Sequence, residues 1–166
     1  MPPPSLLKGH SLIDGSLGLE LDTVSPHPVH QVPTYFFRMI DLNTGVEIGR
    51  INLRAGFGEH VERYAGHVGY FVEPAYRGHR YAARALRLLV RIARGLGIDP
   101  LWITCDPDNI PSRRTCERAG AKFIEIVDVP ADCVIYQSGH TKKCRYRLDL
   151  REMGRTRPTT HLIRDN

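Results

Sequence analysis

The sequence lacks most of the features that mark specialised protein classes. Its cysteines have none of the paired short spacings of a zinc site, and we predict no metal centre: Cys105, Cys116, Cys133 and Cys144. An apolar run of about 18 residues and a secretory signal pattern are both missing, so we expect no membrane association and a cytoplasmic protein with reduced thiols. Helix-turn-helix, zinc-finger and aromatic-rich RNA-binding patterns are also missing, which argues against a nucleic-acid partner.

What is present is the composition of one ordinary globular domain. The chain has 166 residues, of which 42% are hydrophobic and 25% charged, and this length allows a self-sufficient core. We expect an irregular segment over residues 1–16, a single domain over 17–150 and a polar tail over 151–166. The net charge of +5 favours anionic partners without naming one.

The basic excess is concentrated in one segment that contains no acidic residue. Between Pro74 and Ile98 the sequence has no Asp or Glu, but it has six arginines: Arg77, Arg80, Arg84, Arg87, Arg91 and Arg94. The last four are spaced three, four and three apart, so they share one face of a helix predicted from about His79 to Arg94. A solvated helix face accounts for the later ones, whereas the first three lie where a polyanion would bind.

A tight turn precedes this helix. An apolar strand, predicted over 66–73, stops at Glu73-Pro74, and the sequence Arg77-Gly78-His79-Arg80 then leads into the helix. The free N–H groups of the first helical turn and the helix dipole point to one place there. Such a place binds anions, usually phosphate or pyrophosphate.

The rest of the chain alternates strands and helices. Strands are predicted over seven ranges: 17–21, 35–41, 47–54, 66–73, 101–105, 122–129 and 144–150. Residues 42–45 form a hairpin turn, and a second helix follows 106–109. Three prolines exclude a regular helix over 22–33, and 55–65 is expected to be a polar loop. The order after residue 66 favours a partly parallel sheet covered by helices.

Two motifs resemble those of the GNAT (GCN5-related N-acetyltransferase) superfamily. The run over 67–83 resembles its acyl-CoA-binding motif, Arg/Gln-x-x-Gly-x-Gly/Ala, and residues 109–120 resemble its second motif, Asn-x-x-Ala/Ser followed by a helix and Gly. Within the superfamily the chain is most similar to bacterial proteins described only as predicted acetyltransferases, over about residues 34–150. The resemblance implies an α/β (α+β mixed) fold, with a twisted mixed sheet of about six or seven strands. This sheet is splayed between the strands at 66–73 and 101–105 and flanked by helices.

The resemblance also implies acetyl-CoA, or another short acyl-CoA, as the cofactor. Its pantetheine would lie in the splayed gap and its pyrophosphate on the turn. The implied cofactor-binding residues are Phe71, Val72, Arg77, Gly78, His79, Arg80, Tyr81, Ala82, Ala83, Asn109 and Ser112. For Asn109, the role of a helix N-cap is an equally good interpretation.

Three departures from the family pattern affect the prediction. Arg80 replaces the usual second glycine of the phosphate turn, and it would be strained if the backbone there needs a positive φ. Cys116 occupies a position where relatives often have a tyrosine that protonates the leaving thiolate; a small buried residue is the simpler interpretation. The proline-rich stretch over 22–33 replaces helices that usually line the acceptor pocket, so the resemblance does not identify the acceptor.

The predicted reaction is direct transfer of an acetyl group to a primary amine in a ternary complex. A base must first take a proton from the amine, and the candidates are His67, Glu73 and Glu62. His67 has a structural alternative as a hydrogen-bonded sheet histidine, and both glutamates have one as solvated carboxylates. The acceptor, a small molecule or a protein, is left open, as is a homodimer. The alternative function is a non-catalytic acyl-CoA-binding regulatory module.

Overall fold

The structure, a computed structural model, describes residues 12–153 and contains two separate antiparallel sheets. The first sheet has five strands in chain order: β1 (Ile13–Asp14), β2 (Leu17–Pro26), β3 (Pro33–Asp41), β4 (Glu47–Arg54) and β5 (Val68–Val72). The second has three strands in the order β6 (Leu101–Cys105), β8 (Lys142–Leu148) and β7 (Lys122–Asp128).

Helices connect and cover the sheets. Within residues 12–153 the α-helices are α1 (Tyr81–Gly95), α2 (Ile110–Arg118), α3 (Val134–Gln137) and α4 (Leu150–Met153). A π-helix spans His60–Ala65, and a 3₁₀ turn spans Pro74–Tyr76. Over residues 12–153, no helix is long and apolar enough to cross a membrane.

Helix α1 packs on the first sheet and forms the centre of the core. Its apolar face buries Leu86 and Leu89 completely, which stabilises the fold by roughly 1.5–3 kcal/mol for each side chain. On the opposite face, arginines attach the helix to its neighbours: Arg87 donates to the carbonyl of Arg118 at 2.6 Å, and Arg94 donates to that of Leu150 at 2.9 Å. The arginine stripe is therefore more than a solvated face.

The two sheets meet where β5 and β6 begin. The N–H of His67 donates to the carbonyl of Trp102 at 2.7 Å, which joins the N-terminal ends of the two strands. Beyond this point the strands belong to different sheets, and a cavity lies between them. The predicted splay between these strands and the predicted fold class are therefore confirmed, although every pairing within the two sheets is antiparallel.

Several local predictions need correction. Strand β2 continues to Pro26, which pairs with Pro33. Pro26 is tolerated because β1 covers only the first part of β2 and leaves the rest as an edge, and Pro33 is tolerated because it is the first residue of β3. The expected loop over 55–65 contains the π-helix, and α1 begins two residues later than predicted. The expected irregular segment over 1–16 includes β1, and its residues 1–11 lie outside the described residues, as do residues 154–166 of the tail.

Candidate functional site

A cavity of about 1030 Å³ opens between β5, β6 and the start of α1. Its volume is large enough for an extended ligand. Nine of the eleven predicted cofactor-binding residues line it: Phe71, Val72, Arg77, Gly78, Arg80, Tyr81, Ala82, Asn109 and Ser112. His79 and Ala83 do not line it. The structure thus brings the two sequence motifs together on one cavity.

The turn before α1 presents free backbone N–H groups. The first intrahelical bond of α1 runs from the N–H of Arg84 to the carbonyl of Arg80 at 3.1 Å, so the amides of the residues before Arg84 lie outside the helical ladder. Gly78 has a φ of 89°, and a Cβ placed there would meet nothing within 4 Å. The turn is therefore open enough for a phosphate group to approach the backbone.

Arg80, at the N-cap of α1, adopts the left-handed conformation, with φ 61° and ψ 23°. A side chain in this region costs roughly 1–2 kcal/mol relative to glycine. The family pattern has glycine at this position, and the backbone here keeps the conformation that glycine favours. The strain predicted for Arg80 is therefore present. Its side chain adds a positive charge to the cavity wall.

The other two arginines near the turn are held by the protein itself. The Nε of Arg77 donates to the carbonyl of Val72 at 2.9 Å, and its guanidinium lies 5.4 Å from the centre of the Phe71 ring. Arg84 forms a 2.9 Å ion pair with Asp14 of β1 and does not line the cavity. Arg80 is thus the arginine of the turn best suited to a ligand.

The backbone of β5 offers alternate residues to the gap. The N–H of Glu73 donates to the carbonyl of Ile48 at 2.9 Å, and the carbonyl of His67 accepts from Arg54 at 2.7 Å. Odd-numbered residues of this stretch therefore direct their backbone groups to β4, and even-numbered residues direct theirs away from it. Val72 and Tyr70 are the residues whose backbone groups face the gap, whereas the backbone groups of Phe71 and Glu73 point to β4.

Side chains bridge the gap at its far wall. The Tyr70 hydroxyl forms a short hydrogen bond with the hydroxyl of Ser112 on α2, and burial raises the pKa of Tyr70. The carbonyl oxygen of the Asn109 side chain accepts from the N–H of Ser112 at 3.2 Å, so the N-cap interpretation of Asn109 is confirmed. Asn109 and Ser112 both line the cavity as well.

His67 is a structural residue in this geometry. It is fully buried, its Nδ1 accepts from the N–H of Trp102 at 2.9 Å, and its Nε2 lies 3.1 Å from the carbonyl of Gly56. Nε2 must therefore carry the proton and donate it, which leaves no free lone pair on the ring. The pKa of His67 is lowered, mainly because the ring is buried. These contacts argue against His67 as the general base and fit its structural alternative, a hydrogen-bonded histidine.

The two glutamate candidates also lie away from the cavity. Glu73 is exposed at the start of the 3₁₀ turn. Glu62 lies in the π-helix and accepts from the N–H of Gly58 at 3.3 Å. Neither residue lines the cavity, so neither fits the role of a base there.

Cys116 fits the interpretation as a small buried residue. It is completely buried on α2 and does not line the cavity. A hydrogen bond with Cys105 and burial raise the pKa of its thiol, so the thiol stays protonated. All four cysteines are free.

A polar cluster that the sequence analysis did not identify lies at the C-terminal end of β6. The Oδ2 of Asp106 lies 2.6 Å from Nδ1 of His140, and its Oδ1 lies 3.1 Å from Nζ of Lys143. All three side chains line the cavity. Burial opposes ionisation of Asp106, but its contacts with His140 and Lys143 outweigh this effect, and the pKa of the carboxyl is lowered. Asp106 is therefore an anion at neutral pH.

The backbone around this cluster is well fixed. Ser138 ends helix α3, Gly139 follows with a φ of 97°, and the N–H of His140 bonds the carbonyl of Ile135 at 3.1 Å. Together with the bond from Gly139 to Tyr136 at 2.9 Å, this is a Schellman C-cap. The Ser138-Gly139-His140 sequence signals such a turn, but it gives no indication of the partner of His140.

Two more histidines form a pair near the cavity. Nδ1 of His30 lies 2.8 Å from Nε2 of His60, and His30 lines the cavity together with Arg54. Burial and the nearby Arg54 guanidinium lower the pKa of both histidines, that of His30 to about 3. Burial also lowers the pKa of Arg54 to about 10. The imidazoles of this pair are neutral at working pH.

Comparisons with known proteins agree with this geometry. A family model described as "Acetyltransferase (GNAT) domain" matches residues 24–122. No curated protein matches the chain. Solved structures share the fold, among them a putative ribosomal-protein-serine acetyltransferase from Vibrio cholerae, with a TM-score of 0.58 and 17% identity over 85% of this chain and 98% of that one.

In two further solved structures, this chain spans two thirds or less of the other chain's length. An acetyltransferase of the GNAT family from Bacillus anthracis has a TM-score of 0.56 and 22% identity, over 70% of this chain and 66% of that one. RimJ from Mycobacterium smegmatis, solved with CoA-disulfide, has a TM-score of 0.56 and 16% identity, over 74% of this chain and 56% of that one. The family model covers more than half of the sequence, and it supports the predicted enzyme class, an N-acetyltransferase that uses acetyl-CoA. The chain belongs to the GNAT acetyltransferase family.

Proposed function

We propose that this protein transfers an acetyl group from acetyl-CoA to a primary amine, by direct attack of the amine in a ternary complex. The observation that carries the proposal is the continuity of one cavity from the open turn at Gly78 to the gap between β5 and β6. The turn suits a diphosphate, and the gap suits an extended chain with amide groups. Acetyl-CoA has both parts and supplies the acetyl group as a thioester.

The phosphate end of the cavity would be bound mainly by backbone. The amides of Gly78 to Ala83 precede the helical ladder of α1, and the positive end of the helix dipole favours an anion there. Arg80 adds a formal charge at the same wall. The residues from Pro74 to Ile98 include no carboxylate, so no side chain of this segment would repel a diphosphate.

In the gap, Val72 is the residue best suited to orient the thioester. Its backbone faces away from β4, as the alternating pattern of β5 requires, and its carbonyl already accepts from Arg77. The remaining N–H of Val72 can donate to a ligand carbonyl and polarise it. Tyr70 and Ser112 close the opposite wall of this part of the gap.

The acceptor would enter from the side of the cavity formed by His30, Asp106 and Lys143. The names of the structural neighbours point to different acceptors: one is a ribosomal-protein-S5-alanine acetyltransferase, and another, AAC(6')-Ib, was solved with ribostamycin and coenzyme A. The proposal for this chain is limited to a primary amine. The proline-rich stretch over 22–33 departs from the family pattern, so the resemblance does not identify the acceptor.

Two measurements test the proposal. Calorimetry should detect binding of acetyl-CoA to the purified protein, and addition of small amines should release free thiol from the bound thioester. Binding with no thiol release across a broad panel of amines would instead support a non-catalytic acyl-CoA-binding module. If the protein does not bind acetyl-CoA, both functions are excluded.

A further inference from the structure

We propose that His140 and Asp106 form the catalytic dyad that deprotonates the acceptor amine. This inference rests on the proposed function and assigns a base to it, since the three candidates from the sequence all lie off the cavity. His140 and Asp106 both line the cavity, and their side chains are 2.6 Å apart. A carboxylate that orients an imidazole is the arrangement of a general base with its positioning partner.

The hydrogen bond fixes which ring nitrogen can act. Asp106 is ionised and can only accept, so Nδ1 of His140 must carry the proton that it donates. In the neutral imidazole this leaves the lone pair on Nε2. The His140 side chain is 44% exposed, unlike His67, which is fully buried and has both ring nitrogens engaged. His140 therefore has the free lone pair that His67 lacks.

The surrounding elements hold the dyad in place. The register of β6 with β8 pairs Cys105 with Cys144, which puts the residue after β6 next to the residues before and at the start of β8. Lys143 contacts the second oxygen of Asp106 and keeps it anionic. The Schellman cap of α3 fixes the backbone of His140. Two segments far apart in the sequence thus meet at a defined geometry.

The charged and titratable groups around the dyad suit an amine. Lys143 is neutralised by Asp106, and across the cavity His30 is neutral because burial, with help from Arg54, lowers its pKa to about 3. Arg54 donates to the carbonyls of Ala65 and Gly66. Of these groups, His140 is the one that combines a carboxylate on one ring nitrogen with a second ring nitrogen open to a ligand.

The proposed step balances as follows. Nε2 of His140 takes one proton from the ammonium form of the acceptor, and the amine lone pair then forms a C–N bond with the acetyl carbon. The C–S bond of the thioester breaks, and its electron pair leaves on sulfur. The second amine proton is passed to that sulfur, and the imidazolium returns its proton to water. The products are an amide, a thiol and one proton.

The test uses two small acceptors that differ in their need for a base. Methylamine, like a lysine side chain, is protonated at neutral pH, because such amines have a pKa of about 10.4. Hydroxylamine is already uncharged at neutral pH. Thiol release from acetyl-CoA is measured with each acceptor for the wild type, His140→Gln and Asp106→Asn. Asp128→Asn is the matched control, because Asp128 also pairs with a lysine, Lys142, but lies outside the cavity.

We expect His140→Gln to slow transfer to methylamine by about 10²–10⁴-fold and to leave acetyl-CoA affinity and transfer to hydroxylamine nearly unchanged. Asp106→Asn should cause a smaller loss, and Asp128→Asn none.

Equal rates for wild type and His140→Gln with methylamine, or an equal loss with both acceptors, would overturn the dyad. If acetyl-CoA binds but neither acceptor releases thiol, direct transfer and the dyad both fail. If acetyl-CoA does not bind to the wild type, the proposed function itself is wrong, and the calorimetric result separates this case from the others.

Discussion

The two ends of the cavity are built in different ways. The end at Gly78, Arg80 and Val72 presents mainly backbone groups from one continuous stretch of chain. The end at Asp106, His140 and His30 presents side chains from segments far apart in the sequence. We call these the cofactor end and the acceptor end.

The proposed function makes different demands on each end. A diphosphate and a chain of amides can be bound by N–H groups that any sequence has, provided that a turn and a helix start present them. Deprotonation of an amine needs a side chain of suitable acidity, which must be oriented by a partner. The geometry of the cofactor end is therefore set by local sequence, and the geometry of the acceptor end is set by tertiary structure. Single substitutions should affect acetyl-CoA binding and amine deprotonation separately.

The largest effect is expected at the cofactor end, from Gly78→Asp. The new carboxylate would face the diphosphate, and we expect acetyl-CoA affinity to fall by at least about 100-fold, or about 2.7 kcal/mol. Gly78→Asn is the matched control: asparagine also tolerates the φ of 89° but carries no charge. Calorimetry compares the two, and an equal loss in both variants would mean that backbone strain, rather than charge, is responsible.

The second effect concerns His67, at the junction between the two sheets. His67→Ala should remove the partners of the Trp102 N–H and the Gly56 carbonyl, each buried group costing about 1–3 kcal/mol when left unpaired. We expect the free energy of unfolding to fall by about 3 kcal/mol in urea denaturation.

His67→Gln distinguishes this structural role from the role of a base. The glutamine amide can accept from one partner and donate to the other, as the imidazole does, but it cannot take a proton from an amine. We expect this variant to keep most of the stability and the thiol-release activity. A stable but inactive His67→Gln protein would restore His67 as the general base.

The contrast between the two ends explains what the sequence could predict. The phosphate turn and α1 could be predicted because the signals, an apolar strand, a glycine turn and a 3.6-residue period, are local. The N-cap at Asn109 was accessible for the same reason. The pairing of Asp106 with His140 depends on the β6–β8 register, and no local pattern encodes that register.

His67 shows what a sequence pattern leaves open. It is a candidate base from the sequence, but the N–H of Trp102 and the carbonyl of Gly56 engage both of its ring nitrogens. These partners come from β6 and from the loop after β4, and their positions are set by the way the two sheets meet. A single polar residue in a strand pattern therefore gives a candidate, and only its neighbours decide its role.

A smaller effect is expected from pH at the acceptor end. In the unfolded chain His30 would titrate near 6.5, whereas in the folded protein its pKa is about 3, mainly because of burial. Protons therefore bind the unfolded chain more readily, so this contribution to stability is complete above about pH 6.5 and is lost as pH falls towards about 3. The thermal midpoint should decline by several degrees between about pH 7 and about pH 5.

His30→Gln should make this decline shallower, whereas the substitution of an exposed histidine, His79→Gln, should leave it unchanged. Both variants keep the carboxylates, including Asp106, so the difference between their slopes isolates the imidazole pair. Parallel slopes for the two variants would show that the His30–His60 pair does not contribute to acid sensitivity.

The smallest effect is expected for Arg80, whose side-chain charge can be compared with the backbone of the cofactor end. Arg80→Gly should relieve left-handed strain of about 1–2 kcal/mol and add chain entropy in the unfolded state worth about 0.5–1 kcal/mol, for a net gain in stability of about 0–1.5 kcal/mol. Loss of the exposed charge should at the same time weaken acetyl-CoA binding by about 1 kcal/mol or less. Arg80→Lys keeps both the charge and the strain, so neither quantity should move much. If Arg80→Gly is more stable and binds acetyl-CoA as well as the wild type, the cofactor end works through its backbone alone, and the strained arginine has another purpose.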